Sequence, residues 1–282
     1  MGLKLDIVGH KSAPLKHRHD WKDTVCYALG VGAKLDELDV LFEMNGPKVL
    51  PTFGVIPAFP AMAIATATVD ANPAMVVHGE HKLVLHRPIA PSGALTTLAE
   101  ITGLYDKGPG KGAVITVATQ TFDEQSQPIF DNAFSIFVRG AGGFGGERGP
   151  ETAKIEPPDR APDFTVSEQT LPEQALLYRL CGDPNPLHAS PQFARLAGFD
   201  RPILHGLCTY GFAGRALLRH ACGSDPARLL SFAVRFTGVV FPGDTLTTEG
   251  WQLAPGQWTV RTRTQDGRIV LANGTAQTAT PA

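Results

Sequence analysis

Polar and apolar residues alternate along eight stretches of the chain, and this two-residue period is typical of half-buried β-strands. The stretches fall into two groups of four, and each group follows one apolar helical segment. The predicted strands cover residues 75–86, 95–105, 113–122, 128–138, 229–237, 245–253, 258–264 and 269–278, and the predicted helices cover residues 58–68 and 206–221. One helix against an antiparallel sheet in each half predicts an α+β architecture.

The second half of the chain repeats the first at a constant offset, which indicates a duplicated domain. A glycine-rich stretch at residues 140–150 and a proline-rich stretch after it mark the seam, so we predict one domain at 1–150 and another at 151–282. Turn residues shared by chance are the alternative explanation. The pairs of identical residues that lie 151 positions apart include Tyr27 and Tyr178, Leu29 and Leu180, Pro51 and Pro202, and Pro91 and Pro242.

Composition narrows the possible functions without naming one. The 282 residues are 43% hydrophobic and 18% charged, which is enough apolar material for one large core or two smaller ones. The net charge of −2 gives no basic field, so nucleic acid is not expected as a partner. We also expect no membrane partner, because no uninterrupted apolar stretch approaches the ~18 residues of a membrane span.

The spacing of the cysteines and the residues at the two ends of the chain indicate the cellular compartment. The four cysteines show no CxxC spacing, so we expect free, buried thiols in a reducing compartment. The first residues lack an apolar signal core, and the last four, Ala279-Thr280-Pro281-Ala282, do not match the Ser-Lys-Leu peroxisomal address. We therefore expect a cytoplasmic protein.

The segment 178–211 carries the strongest chemical signal. It places an acid, an amide and an imidazole, Asp183, Asn185 and His188, within six residues. Pro184 and Pro186 fix their own φ angles and force the residues before them out of the helical region, so we predict a rigid, extended loop. Taken alone, such a run is most often only a turn, and a lone histidine is most often a satisfied surface or core residue.

Two predicted helices follow this loop. The first begins with Ser190 as N-cap and Pro191 at its first position, and it ends at Gly198. The second begins near Gly206 and carries several small residues, which would allow close approach of another backbone. An acid and a base beside a helix N-terminus are suited to proton transfer on a substrate that develops negative charge.

Two other patterns are weaker. Gly140, Gly142 and Gly145 satisfy the GxGxxG spacing, but the residues after them cannot begin a helix, so we predict a loop and no dinucleotide site. His78 and His81 would point to opposite faces of a strand, and no cysteine lies nearby, so we expect no metal there.

The segment around Asp183 closely resembles the (R)-specific enoyl-CoA hydratases, the hydratase 2 or MaoC-like group, whose signature is a DxNPxH loop followed by PILHGL. The segments HGE, YDKG and FVRGAGGFGG extend the resemblance over nearly the whole chain. It implies a double hotdog, in which two repeats of a helix wrapped by an antiparallel sheet form a pseudo-dimer. The first half has no DxNPxH segment: Gly32, Lys34 and Glu37 stand 151 positions before Asp183, Asn185 and His188. We therefore expect one active site per chain.

The resemblance also implies a reaction, the syn addition of water to a trans-2-enoyl-CoA that yields a (3R)-hydroxyacyl-CoA. Asp183 and His188 would hold one water and share the acid and base roles, and Asn185 would orient the water or the loop. The backbone N–H of Gly206 would stabilise charge on the thioester oxygen. Coenzyme A would enter as part of the acyl-CoA substrate, with no separate cofactor and no metal, and we expect a homodimer.

The same resemblance assigns Lys107 to the coenzyme A phosphates, which need cations. An acyl-CoA thioesterase and a non-catalytic acyl-CoA-binding subunit are the alternatives, because hotdog folds host several functions. The residues expected to line the substrate site outside the catalytic set are His78, Gly79, Lys107, Pro184, Pro186, Leu187 and Phe236.

Overall fold

The structure is a computed structural model that describes residues 3–151 and 154–280. Met1, Gly2, Pro281 and Ala282, on which part of the location argument depends, lie outside these residues. The strands are β1 (Leu15–His19), β2 (Val76–Leu85), β3 (Gly93–Asp106), β4 (Gly112–Phe122), β5 (Pro128–Arg139), β6 (Phe164–Gln169), β7 (Leu229–Phe236), β8 (Thr245–Ala254), β9 (Gln257–Thr264) and β10 (Ile269–Thr278). The α-helices are α1 (Trp21–Gly30), α2 (Leu38–Leu41), α3 (Val55–Ala58), α4 (Pro60–Thr68), α5 (Gln174–Tyr178), α6 (Pro191–Leu196) and α7 (Gly206–Ala221).

The ten strands form one antiparallel sheet in the order β1-β3-β4-β5-β2-β7-β10-β9-β8-β6. The order within the first half is mirrored in the second, and β2 pairs with β7 at the centre, with Glu80 opposite Arg235. Two halves of equal topology joined in one sheet are the double hotdog that the resemblance implies. The predicted α+β class is confirmed.

All eight predicted strands and the helix at 206–221 are present within a residue or two of their predicted ends. The prediction that each half begins with helix and continues with strands is wrong, because β1 and β6 come first and, with α1 and α5, were missed. Strands β1 and β6 have only five and six residues and carry polar side chains, so their alternation is too short to recognise. The predicted helix 58–68 is two helices, since Pro60 begins α4 after the short α3.

Helix α7 is the central element of the core, and residues 207–218 are all buried. Its small residues allow the first half of the chain to pack directly on its backbone. A Cβ atom at Gly211 would lie 2.3 Å from Val31 Cγ1, and one at Gly214 would lie 2.5 Å from Thr52 Cγ2. The close approach expected from the small residues is therefore confirmed, and the two halves share one core.

A buried ion-pair network also joins the halves. The guanidinium of Arg215 on α7 pairs with Glu37 of the first half and Glu168 of the second, and Nε donates to the Val31 carbonyl oxygen at 3.1 Å. Removing one partner of such a buried pair typically costs roughly 3–5 kcal/mol, because the other charge is left uncompensated. The network therefore makes the relative placement of the halves specific.

The connection between the halves runs from the end of β5 to the start of β6, and the predicted boundary at 150/151 falls within it. Its glycine-rich part is a loop, as predicted, and the carboxylate of Asp106 holds it in place. That carboxylate accepts hydrogen bonds from the N–H groups of Gly108, Gly143 and Gly145 at 2.7–2.8 Å. These bonds lower the pKa of Asp106 below its ordinary value.

Two expectations from the sequence need correction. The helical run Pro51–Thr68 is, by its length of 18 residues and its composition, apolar enough to cross a membrane, although 61% of it is buried inside the fold. That burial is typical of a core helix, and the absence of a membrane partner stays a prediction.

All four cysteines are free, but only Cys208 and Cys222 are buried, whereas Cys26 and Cys181 are partly exposed.

Candidate active site

In the loop 182–188, Asn185 has the extended ψ of 122° that Pro186 predicts, whereas Pro186–His188 is a 3₁₀ turn and not extended. The loop begins at Gly182, whose φ of 131° ends the 3₁₀ turn Arg179–Cys181. The N–H of Asn185 donates to Asp183 Oδ1 at 3.1 Å, and the N–H of Leu187 donates to Asn185 Oδ1 at 3.0 Å. The Asn185 side chain therefore orients the loop and caps the 3₁₀ turn Pro186–His188.

His188 is held in one tautomer beside Asp183. Its Nδ1–H donates to the Ile203 carbonyl oxygen at 2.8 Å, which leaves Nε2 unprotonated as an acceptor. One carboxylate oxygen of Asp183 and one ring nitrogen each of His188 and His205 lie within 4.8 Å of one another. Because a water makes hydrogen bonds of about 2.8 Å, one water can contact both Asp183 and His188.

Burial sets the protonation states of this pair. It raises the pKa of Asp183 from 3.8 to about 6 and lowers the pKa of His188 to about 4. Desolvation disfavours the charged form of each group, so the acid and the imidazole shift in opposite directions. At pH 7 Asp183 is ionised and His188 is neutral.

His205 completes the cluster, although it was not among the residues predicted for the site. Its ring stacks on His188 with centroids 3.7 Å apart, and its Nε2 donates to the backbone oxygen of Asp183 at 3.3 Å. Burial lowers the pKa of His205 to about 2, so it stays neutral. His205 belongs to the PILHGL segment, and this was the signal in the sequence that could have identified it. From the sequence, that segment predicted only the start of a helix.

Two helices place this cluster as predicted. Ser190 caps α6 by accepting from the N–H of Phe193 at 3.3 Å, and Gly198, with φ of 88°, follows its end. Gly206 is the first residue of α7, whose N-terminus has no side-chain cap. A Cβ at Gly206 would lie 3.2 Å from the Phe236 ring, so glycine allows the ring to pack against the helix start.

The cluster opens into a cavity of about 630 Å³. Its second-half lining comes mainly from the loop 183–188, the start of α7 and the segment 236–240. The lining from the first half of the chain is almost entirely apolar. The first-half lining residues are Phe59, Met62, Ala63, Thr66, Ala67, Ala71, Pro73, Val76, Val77 and His78.

The structure brings together most, but not all, of the residues predicted for the substrate site. Gly79 packs on β5, where its Cβ would lie 3.2 Å from the Ser135 carbonyl oxygen, and Lys107 Nζ donates to the Arg148 carbonyl oxygen. Neither Gly79, Lys107 nor Pro186 lines the cavity in the described part of the chain. The predicted residues that do line it are His78, Asp183, Pro184, Asn185, Leu187, His188, Gly206 and Phe236.

The prediction that His78 and His81 point to opposite faces is wrong. Their rings contact each other, with centroids 5.5 Å apart. The pairing of β2 with β5 shifts between His78 and Glu80, which is the mark of a β-bulge at Gly79. The extra residue reverses the alternation, so residues three apart share one face.

One group of side chains among residues 3–151 and 154–280 could hold a cation, and it is the same cluster of Asp183, His188 and His205. Asp183, His188 and His205 each offer one ligand atom within the 4.8 Å separation. Both histidines already use one ring nitrogen to donate to a backbone oxygen. The expected absence of a metal or other cofactor stays a prediction.

Fold and site together define a MaoC-like protein of the double-hotdog class. Residues 17–140 match the MFE-2 hydratase 2 N-terminal domain, and residues 153–273 match the MaoC-like domain. The chain is 42% identical to a probable enoyl-CoA hydratase 2 of Dictyostelium discoideum over 281 residues, which are 96% of this chain and 94% of the relative. It therefore belongs to the hydratase 2 family.

Two further comparisons agree with this assignment. The chain is 41% identical to 3-hydroxyacyl-thioester dehydratase Y of Mycobacterium tuberculosis over 287 residues, covering 98% of this chain and 99% of the relative. The crystal structure of a MaoC-like dehydratase from Phytophthora capsici superposes with a TM-score of 0.86 at 34% identity, covering 96% of both chains.

Proposed function

We propose that this protein is an (R)-specific enoyl-CoA hydratase, a hydro-lyase of fatty-acid metabolism. It reversibly adds water in the syn sense to a trans-2-enoyl-CoA and yields a (3R)-hydroxyacyl-CoA. The observation that carries this proposal is the placement of Asp183 and His188 within reach of one water, at the start of α7 and inside an apolar cavity. The names of the hydratase and dehydratase relatives support it.

The two protonation states suggest how the proton moves. Neutral His188 accepts a hydrogen bond from the water at Nε2, and ionised Asp183 accepts its other proton as the oxygen attacks C3. Asp183 is the better proton carrier of the two, because its pKa of about 6 lies nearer to neutrality. Protonated Asp183 then delivers the proton to C2 on the same face, so that H and OH of one water add across the double bond.

The attack on C3 creates enolate charge on the thioester oxygen, and the start of α7 is the proposed site that stabilises it. The backbone N–H of Gly206 lies at the N-terminus of a 16-residue helix without a side-chain cap. Such an N–H group and the helix dipole both favour a negative charge. Glycine at this position also lets the Phe236 ring pack against the start of the helix.

In this proposal the two halves of the chain contribute different parts of the site. The second half, 151–282, supplies the acid, the base and the oxyanion donor, and the first half, 1–150, supplies the wall of the acyl cavity. The first-half positions that correspond to the catalytic trio make other contacts. Lys34 and Glu37 join the ion pairs of Glu168 and Arg215, and a Cβ at Gly32 would lie 2.3 Å from the Phe212 ring.

Lys107 remains our proposed contact for the coenzyme A phosphates, although it lies outside the cavity. It follows β3, which is three strands away from β2 in the sheet, or about 14 Å at the usual strand spacing. Val76 and Val77 of β2 line the cavity, and the extended coenzyme A moiety would have to bridge this distance. The Lys107 ammonium now donates only to a backbone oxygen and faces the Tyr105 ring, so it is not neutralised by a carboxylate within the described contacts.

Incubation with trans-2-enoyl-CoA of several chain lengths tests the function. Hydration removes the conjugated absorbance, and chromatography on a chiral column should show only the (3R) product. Release of free coenzyme A thiol would instead identify a thioesterase. Binding of the acyl-CoA without turnover would identify a non-catalytic subunit.

Two variants test the assigned roles. Asp183→Asn and His188→Ala should each lower kcat by roughly 10²–10⁴, the range for a positioned acid or base. The double variant should cost much less than the product of the single losses, because the two residues act on the same water. Near-normal turnover of either single variant would contradict the shared-water mechanism.

We also propose that the protein is a cytoplasmic homodimer. Four large apolar side chains within ten residues are exposed, at Leu35, Leu38, Phe42 and Met44, and such a patch favours an interface. Free thiols are typical of a reducing compartment. Light scattering on the purified chain tests the dimer, and cell fractionation tests the location.

A further inference from the structure

Two cysteines from different halves of the chain meet directly behind the catalytic loop. Cys26 lies on α1, and Cys181 ends the 3₁₀ turn Arg179–Cys181, which packs against α1. The Cys181 sulfur lies 3.3 Å from where a Cβ of Gly30 would be, and Gly30 follows Cys26 by one turn on the same helix. Each of the two thiols shifts the pKa of the other. Both cysteines are partly exposed, whereas Cys208 and Cys222 are buried.

We propose that Cys26 and Cys181 are an oxidation site, at which hydrogen peroxide forms a reversible disulfide that joins the two halves and lowers turnover. Formation of the disulfide does not depend on the proposed function, whereas the expected loss of turnover rests on that function. No other role in the site occupies these two thiols.

The chemistry suits this pair because one thiol activates the other. The neighbouring Cys181 thiol lowers the pKa of Cys26 below its ordinary value, which favours the reactive thiolate form of Cys26. The Cys26 thiolate attacks one peroxide oxygen, the O–O bond breaks, and the leaving hydroxide takes the Cys181 proton to become water. The Cys181 thiolate then attacks the Cys26 sulfenic acid sulfur, and the S–O bond breaks with loss of hydroxide, which is protonated to a second water. Two thiols and one peroxide thus give one disulfide and two waters.

The position of Cys181 explains the effect on activity. Only Gly182 separates it from Asp183, whose backbone oxygen accepts the hydrogen bond from His205. A disulfide draws the Cys181 sulfur towards Cys26 on α1, and the loop that follows Cys181 must shift with it. A misplacement of about 1 Å in a catalytic group can cost about 10²-fold in rate, so we expect at least a tenfold loss of kcat.

The experiment treats the purified full chain with a small molar excess of hydrogen peroxide, blocks remaining thiols with N-ethylmaleimide and identifies cross-linked peptides by mass spectrometry. We expect a Cys26–Cys181 peptide, with Cys208 and Cys222 recovered in the blocked form. Turnover of enoyl-CoA should fall at least tenfold and return to its starting value with dithiothreitol. The peptide map is read without any substrate, so it stands or fails independently of the proposed activity.

Serine variants provide the controls. Cys26→Ser should keep the starting kcat and become resistant to peroxide, and Cys181→Ser should accumulate a sulfenic acid on Cys26 that dimedone traps. Cys222→Ser, the matched control, should form the disulfide and lose activity as the parent does. A peptide map without the Cys26–Cys181 bond, or with Cys181 bonded to Cys208, would overturn the site. A complete disulfide with unchanged kcat would overturn the effect on turnover.

Discussion

Replacing Asp183 by asparagine should stabilise the protein at neutral pH while it removes activity. Burial raises the pKa of this carboxyl from 3.8 to about 6, because the ionised form loses its solvation in the folded state. A change of that size corresponds to a cost of about 3 kcal/mol for folding with Asp183 ionised. The side chain is only 13% exposed, so solvent screens little of this cost.

The direction in which pH changes the stability of the folded protein follows from proton binding by Asp183. Below pH 3.8 the carboxyl is protonated in both the folded and the unfolded state, and the cost is absent. Between pH 3.8 and about 6 the folded state binds more protons than the unfolded state, so stability falls as pH rises, and above about pH 6 the full cost remains. The amide of Asp183→Asn is neutral throughout and can still accept from the Asn185 N–H. Its stabilising effect should therefore appear only as pH rises through this range.

Thermal unfolding of parent and variant at pH 3.5–8 measures this difference. A gain of about 3 kcal/mol at pH 8 would raise Tm by roughly 6–12 °C, and the gain should vanish near pH 3.5. Asp266→Asn is the matched control, because hydrogen bonds from Thr264 and Arg268 lower the pKa of Asp266 to about 2, so loss of its charge should lower Tm. If Asp183→Asn lowers Tm at pH 8 as the control does, the ionised carboxylate is not destabilised by burial and the reasoning fails.

Three further outcomes are expected. The kcat/KM should fall with a slope of one below about pH 6 as Asp183 becomes protonated, and a pH profile that stays flat to pH 4.5 would exclude it as the base. Gly206→Ala, whose Cβ meets the Phe236 ring at 3.2 Å, should lower kcat by about 10-fold or more by displacing the oxyanion donor, which steady-state kinetics on folded protein can measure. Lys107→Ala should raise KM far more than it lowers kcat, and the difference should shrink with added salt; a change in kcat alone would place Lys107 elsewhere. Lys111→Ala, on the neighbouring turn, is its charge-matched control.

Local sequence was sufficient wherever a structural decision depends on near neighbours. The eight long strands were predictable because alternation repeats often enough over eight or more residues to exceed chance. The extended backbone of Asn185 was predictable because proline geometry is a property of single residues and their neighbours. The start of α7 at Gly206 and the caps of α6 at Ser190 and Gly198 were predictable for the same reason.

Only the tertiary structure decided the contacts between distant segments. The short edge strands β1 and β6 are held by pairing with the long strands β3 and β8. The bulge at Gly79 places His81 on the same face of the strand as His78. The alternation of residues in the sequence does not show where one strand of a pair carries an extra residue.

The same limit applies to the site. The stacking of His205 on His188 and the meeting of Cys26 with Cys181 bring together residues that are 17 and 155 positions apart, by subtraction of their numbers. The first-half lining of the cavity comes mainly from α4 and the start of β2, while Asp183 and His188 belong to the second half. Burial, and with it the raised pKa of Asp183, exists only in the folded chain, because desolvation depends on everything that surrounds a group and not on its neighbours in sequence.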